Sequence, residues 1–261
     1  MGAAASNTLA VPGATLCYET RGAGPMFLLI GGGPTDAAAF EGLAAALASR
    51  FTVVSYDPRG NSRSKLDGPP SDQWVETHAD DAHRLLGALG TEPAAVLGDG
   101  TGALVGLELV TRNPAQVHTL VAFEPPALHL LPDADALRED AEALHGTYRR
   151  AGAAAAFAAW RPGPTAAALA TNAREAGNFA YYVEHVLLPF GDYRIEVGAL
   201  AAASTRIVVA TAPQPAHRPA GRAALALAAL LGKETVTLPA APTAPAADEL
   251  AAALTRAAIP D

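Results

Sequence analysis

The strongest constraint in this sequence is a rhythm. Short β-rich apolar runs alternate with stretches of helical spacing, and most of the runs stop at Gly, Pro or an acidic residue. Runs at 15–18, 25–30, 51–56, 93–97 and 117–123 read as strands. Phe40, Leu43 and Leu47 recur at helical spacing within 37–49. Val75, Ala79, Ala82, Leu85 and Leu86 form an apolar stripe over 74–89, and a further helix over 102–112 is stopped by Asn113 and Pro114. Such alternation predicts an α/β chain with a mostly parallel sheet and helices on both faces.

The rhythm breaks after Pro132. From about 133 to 191 the sequence is helical without a strand, and the alternation returns at 205–211, 220–231 and 235–238 before a last helix from Asp248 toward Ala258. A helical insertion between two parts of one sheet reads as a lid. The expected division is therefore a core of 1–132 and 192–261 and a cap of 133–191. The Ala/Pro stretches 212–219 and 239–245 each follow a strand and read as sheet-edge loops.

Half of the 261 residues are hydrophobic and 17% are charged, which allows a large core. The net charge of -8 argues against nucleic acid as a partner, because such affinity needs clustered Lys and Arg. Cys17 is the single cysteine, so an internal disulfide and a cysteine-based zinc cluster are excluded, and a cytoplasmic location is expected. No apolar run approaches the roughly 18 residues of a membrane span, so no membrane partner is expected. His78 and His83 are five apart, which is not the spacing of a helical metal pair, and no metal or cofactor is expected.

Three segments carry a family resemblance. They are Leu28-Leu29-Ile30-Gly31-Gly32-Gly33-Pro34, then Tyr56-Asp57-Pro58-Arg59-Gly60-Asn61-Ser62-Arg63-Ser64, then Val96-Leu97-Gly98-Asp99-Gly100-Thr101-Gly102-Ala103. In this order they resemble the α/β-hydrolase superfamily, and the stretch Tyr182-Val183-Glu184-His185 resembles the insertion of bacterial members. The resemblance implies a Gly-x-Ser-x-Gly turn holding a nucleophile after the third buried strand. Here that turn is Gly98-Asp99-Gly100-Thr101-Gly102, with Gly100 at its centre. The implied acid position falls in Thr211-Ala212-Pro213-Gln214-Pro215, and the implied histidine position in Pro239-Ala240-Ala241-Pro242-Thr243. No histidine follows His217. A divergent member with all three triad positions replaced is the expectation, and hydrolysis through an acyl-serine is disfavoured.

The backbone of the implied site is still informative. The resemblance assigns the amides of Gly33 and Thr101 as oxyanion donors, with Gly32 and Gly100 beside them. The alternative is an inherited structural turn. Asp99 is a candidate acid or base, or a cap of the following helix. An Asp nucleophile would place bulky Leu97 where the turn needs its first glycine. Asn178, Tyr181 and His185 fall at i, i+3 and i+7 on one helical face, so Tyr181 and His185 are candidates for proton transfer and Asn178 for substrate binding. Tyr182 lies on the neighbouring apolar face, and Glu124 ends the fourth buried strand where it can line the cleft. His217 is a displaced base or a surface residue. His78 and His83 are expected to face solvent, and Asp80-Asp81 to be a solvated pair.

Two functional classes compete with a ligand-binding pseudo-hydrolase and with a hydrolase using a substitute dyad. Gly98-x-Gly100-x-x-Ala103 followed by Glu124 matches a dinucleotide fingerprint, but it comes after two earlier strands instead of opening the fold. The favoured expectation is a non-hydrolytic enzyme of bacterial natural-product biosynthesis. It would promote cyclisation, elimination or isomerisation of a small apolar metabolite by positioning alone.

Overall fold

A computed structural model describes residues 4–160, 172–243 and 247–258. Residues 161–171 of the expected cap and 244–245 of the expected edge loop lie outside them. The strands are β1 (Ala5–Val11), β2 (Ala14–Arg21), β3 (Met26–Ile30), β4 (Thr52–Tyr56), β5 (Lys65–Leu66), β6 (Ala94–Asp99), β7 (Val117–Phe123), β8 (Arg206–Thr211) and β9 (Val236–Thr237). They form one sheet in the order β1-β2-β4-β3-β6-β7-β8-β9, with β5 paired to β2. β1, β2 and β5 pair antiparallel, β2 meets β4 antiparallel, and every pair from β4 to β9 is parallel. The expected α/β architecture is the one observed.

Side chains alternate across the sheet, so one apolar strand feeds two cores. Leu28, Ile30, Val54, Tyr56 and Val96 face a cluster shared with α2 (Val75–Leu89) and α3 (Thr101–Arg112). Phe27, Leu29, Val53 and Leu97 face the other, shared with α1 (Glu41–Leu47) and the last helix, Ala247–Ala258. Between β7 and β8 run α4 (Ala134–Trp160), the helix Ala173–Tyr181, a π-helical turn Tyr182–Val186, and the short helices Leu187–Asp192 and Val197–Ala202.

The turn after β4 is built from side chains. Asp57 accepts from the Ala37 amide at 3.0 Å, from Arg63 Nε at 2.7 Å and from Arg63 Nη2 at 3.0 Å. The Ser64 hydroxyl donates to the Asp57 carbonyl at 2.6 Å and accepts from the Cys17 amide at 2.8 Å, tying the turn to β2. Arg59 is buried and grips Asp81 of α2 through Nε at 2.7 Å and Nη2 at 2.5 Å. Asp81 is therefore a buried half of an ion pair, not one of a solvated pair with Asp80. His78 is corrected as well. It is 7% exposed and lies edge-on to Phe190 at 5.2 Å, one helical turn before Asp81 on the inner face of α2. His83 is half-buried, with Nδ1 2.7 Å from Gln116 Oε1.

Candidate active site

The third segment of the resemblance forms a sharp elbow between β6 and α3. Gly100 has φ 56° and ψ −119°, a left-handed conformation that side chains rarely adopt. Its amide donates to the Phe123 carbonyl at 2.9 Å, and its carbonyl accepts from the Ala103 amide at 2.9 Å. The neighbouring glycines are needed for a different reason. A Cβ at Gly102 would stand 2.3 Å from the Ile30 carbonyl oxygen, and one at Gly98 would stand 2.5 Å from Ala103 Cα. At Gly100 a Cβ would meet nothing within 4 Å. Close packing dictates glycine on the flanks, and only backbone conformation does so at the tip.

That open space belongs to a cavity of about 730 Å³ at the carboxyl ends of β3, β6 and β7. Its floor is the elbow, Asp99 to Thr101, with Gly32 and Gly33 from the loop after β3 and Glu124 from the end of β7. Its far wall comes from α4, the helix Ala173–Tyr181 and the π-helical turn after it, through Phe157, Trp160, Phe179 and Tyr182. These rings pack on one another: Phe157 meets Phe179 edge-on at 5.0 Å, and Trp160 stacks on Phe179 at 5.4 Å.

Gly33 and Thr101, the expected oxyanion donors, both line the cavity, and the Gly33 amide is engaged. The Gly33 amide donates to Thr101 Oγ1 at 2.7 Å. Glu124, at φ 43°, accepts from the Ala212 amide at 3.0 Å and from Arg218 at 2.5 Å, both through Oε1. Arg218 and His217 lie in the loop after β8, and His217 is exposed and absent from the cavity lining.

A polar clamp, unforeseen in the sequence, joins the cavity's rim to its wall. Asp36 is 3% exposed. It accepts from Ser62 Oγ at 2.6 Å, from Asn178 Nδ2 at 3.0 Å and from the Arg174 guanidinium. Asn178 Oδ1 in turn accepts from the Ser62 amide at 2.8 Å. Ser62 sits in the recognised turn after β4, which is the signal that could have found this cluster. Asp36 is 26 residues before it and Asn178 is 116 after it, beyond the reach of spacing arguments.

Of the expected site residues, Gly32, Gly33, Asp99, Gly100, Thr101, Glu124, Asn178 and Tyr182 all line this cavity. Tyr181 and His185 do not. The Tyr181 ring lies against Gly60, where its buried hydroxyl finds no partner among the described residues. His185 Nδ1 is 3.4 Å from Asp72 Oδ1, and its carbonyl accepts from the Gln73 amide. The helix turns Asn178 and Tyr182 inward, so Tyr181 faces the Arg59 turn, and the π-helical turn that follows breaks the simple i+7 relation to His185. Burial pushes the Tyr182 phenol up to about 12, so it stays protonated at neutral pH. Burial also raises Tyr181 to about 12, against the opposing charge of Arg59. No cluster of metal-ligating side chains occurs among the described residues, and none of the described helices is long and apolar enough to cross a membrane.

A family model described as alpha/beta hydrolase fold matches residues 25–174. The hydrolase YraK of Bacillus subtilis is 49% identical over 126 residues, which cover 48% of this chain and 46% of that protein. RutD of Azorhizobium caulinodans, named as a carbamate hydrolase, is 39% identical over 108 residues, covering 41% of this chain and 40% of that protein. The chain thus matches less than half the length of these relatives. Among solved structures, a thermophilic esterase from Thermogutta terrifontis superposes with a TM-score of 0.72 at 20% identity, over 98% of this chain and 97% of the esterase. At that identity the likeness shows the fold alone.

These relatives overturn the favoured expectation from the sequence. They are hydrolases by name, and none is a cyclase, lyase or isomerase of secondary metabolism. That expectation rested on the replacement of all three implied triad positions, which removes one route to hydrolysis without supplying another reaction.

Proposed function

The chain belongs to the α/β-hydrolase fold family, and we propose that it hydrolyses a small carbonyl compound, an ester or a carbamate, with water in place of a seryl nucleophile. The observation that carries this reading is the elbow. Its backbone is pinned to β7, its tip opens into the cavity, and the space a nucleophilic side chain would fill is free. In this reading all three triad positions are replaced and the surrounding frame is kept.

The chemistry assigns roles to residues that line the cavity. Water attacks the carbonyl carbon, and its proton passes to the Asp99 carboxylate. The developing oxyanion is met by the Thr101 amide, and by the Gly33 amide once the Thr101 hydroxyl turns away. The intermediate then collapses with cleavage of the bond to the leaving group, which takes the proton from Asp99. Glu124, held by Arg218 and the Ala212 amide, orients the substrate. The aromatic wall receives the apolar part of the substrate. The helices of 133–191 act as a cap over a core of 1–132 and 192–261, in a cytoplasmic protein.

Turnover of a panel of p-nitrophenyl esters and carbamates tests the reading. Activity is expected to survive a serine-directed fluorophosphonate and to be lost in Asp99→Asn. A fluorophosphonate adduct that abolishes activity would overturn water attack. A second reading, a pseudo-hydrolase that binds a small ligand, is favoured by the engaged Gly33 amide. Saturable binding without turnover across the panel would select it.

A further inference from the structure

Next to the large cavity lies a second and much smaller one. It measures about 10 Å³. Gly33 and Thr101 line both, so these two residues form the partition between them. On the inner side the small cavity is lined by Arg59, Asn61, His78 and Phe190.

Three facts define what this space accepts. First, His78 Nε2 is buried and has no hydrogen-bond partner among the described residues. A buried polar atom left unpaired is costly, and native structures rarely keep one. Second, the volume sits at the threshold of a single water, roughly 10–15 Å³, so larger ligands are excluded. Third, the lining carries no acid, and Arg59 is already neutralised by Asp81, so neither a cation nor an anion is favoured. Burial holds His78 far below its usual range, at about 3, so the ring is neutral and offers one donor and one acceptor. The Thr101 hydroxyl accepts from the Gly33 amide and has its own hydrogen left to donate.

We propose that this small cavity is a binding site for one water molecule, held by His78 Nε2 and by the Thr101 hydroxyl, and that this water fixes the Thr101 rotamer that covers the Gly33 amide. His78 is then a positioning residue: it acts on the oxyanion loop through the water and Thr101. The inference stands on the partition's geometry and does not depend on the hydrolase reading.

A crystal structure of the whole protein, at a resolution that shows ordered water, is the test. One density peak is expected within roughly 2.7–3.2 Å of His78 Nε2. His78→Phe is expected to lose that peak and to speed hydrogen exchange of the Gly33 amide. An empty cavity in the wild-type map, or a Nε2 paired to a protein atom, overturns the site. A peak that persists in His78→Phe, or an unchanged Gly33 exchange rate once the peak is gone, overturns the role given to His78. If the variant does not fold, the wild-type map decides alone.

Discussion

Two of the three segments that carry the family resemblance are turns held in opposite ways. The turn after β4 is a lattice of charged and hydroxyl side chains: Asp57 on Arg63, Ser64 on Cys17, Arg59 on Asp81. The elbow after β6 is held by what its residues lack. Gly98 and Gly102 let backbones approach, and Gly100 lets the chain reverse. A side-chain lattice fails when one member is removed, and a glycine turn fails when something is added.

The contrast makes ordered predictions. Arg59→Ala leaves Asp81 buried without a partner and is expected to cost about 3–5 kcal/mol in urea unfolding. A loss under about 1 kcal/mol would show the lattice to be dispensable. Gly102→Ala drives a Cβ against the Ile30 carbonyl, and up to about 3 kcal/mol is expected by the same measurement.

His78 gives a pH effect of intermediate size. Its folded pKa, at about 3, lies below the ordinary 6.5, so the unfolded chain binds a proton the folded one refuses. Its share of stability is complete above pH 6.5 and falls as the pH drops toward 3. At about pH 5 the loss is roughly 2 kcal/mol, and in His78→Gln the difference between pH 7 and 5 should shrink by that amount.

The smallest effects fall at the elbow's tip. Gly100→Ala has room for its methyl and only backbone strain to bear, about 1 kcal/mol. If it costs as much as Gly102→Ala, the distinction between tip and flank is wrong. Thr101→Val removes the bond to the Gly33 amide, about 0.5–1.5 kcal/mol, and should raise the exchange rate of that amide.

The same two turns show what a sequence of this kind reveals. β3, β4, β6 and β7 are legible because buried parallel strands are continuous apolar runs. β1 is not, since most of its residues are exposed and only pairing with β2 makes it a strand. The elbow's glycines are legible from their spacing. The clamp of Asp36, Ser62, Arg174 and Asn178 is not, because its members meet only after the chain has folded. His78 and Asp81 were within reach. They continue the stripe of Val75, Ala79 and Ala82, so position outweighs polar residue type there. Tyr181 and His185 lie outside the cavity lining for the converse reason: i+7 spacing holds for a regular helix, and this stretch contains a π-helical turn.

The bond from the Gly100 amide to the Phe123 carbonyl has an evolutionary consequence. It ties the tip of the elbow to the neighbouring strand by main-chain atoms alone, so a residue that bears the positive φ keeps the tip's shape. Any side chain introduced at position 100 would arrive already aimed into the chamber, at a small cost in folding. Such a position works as a socket: a side chain can be removed or reinstalled there while the housing stays as it is.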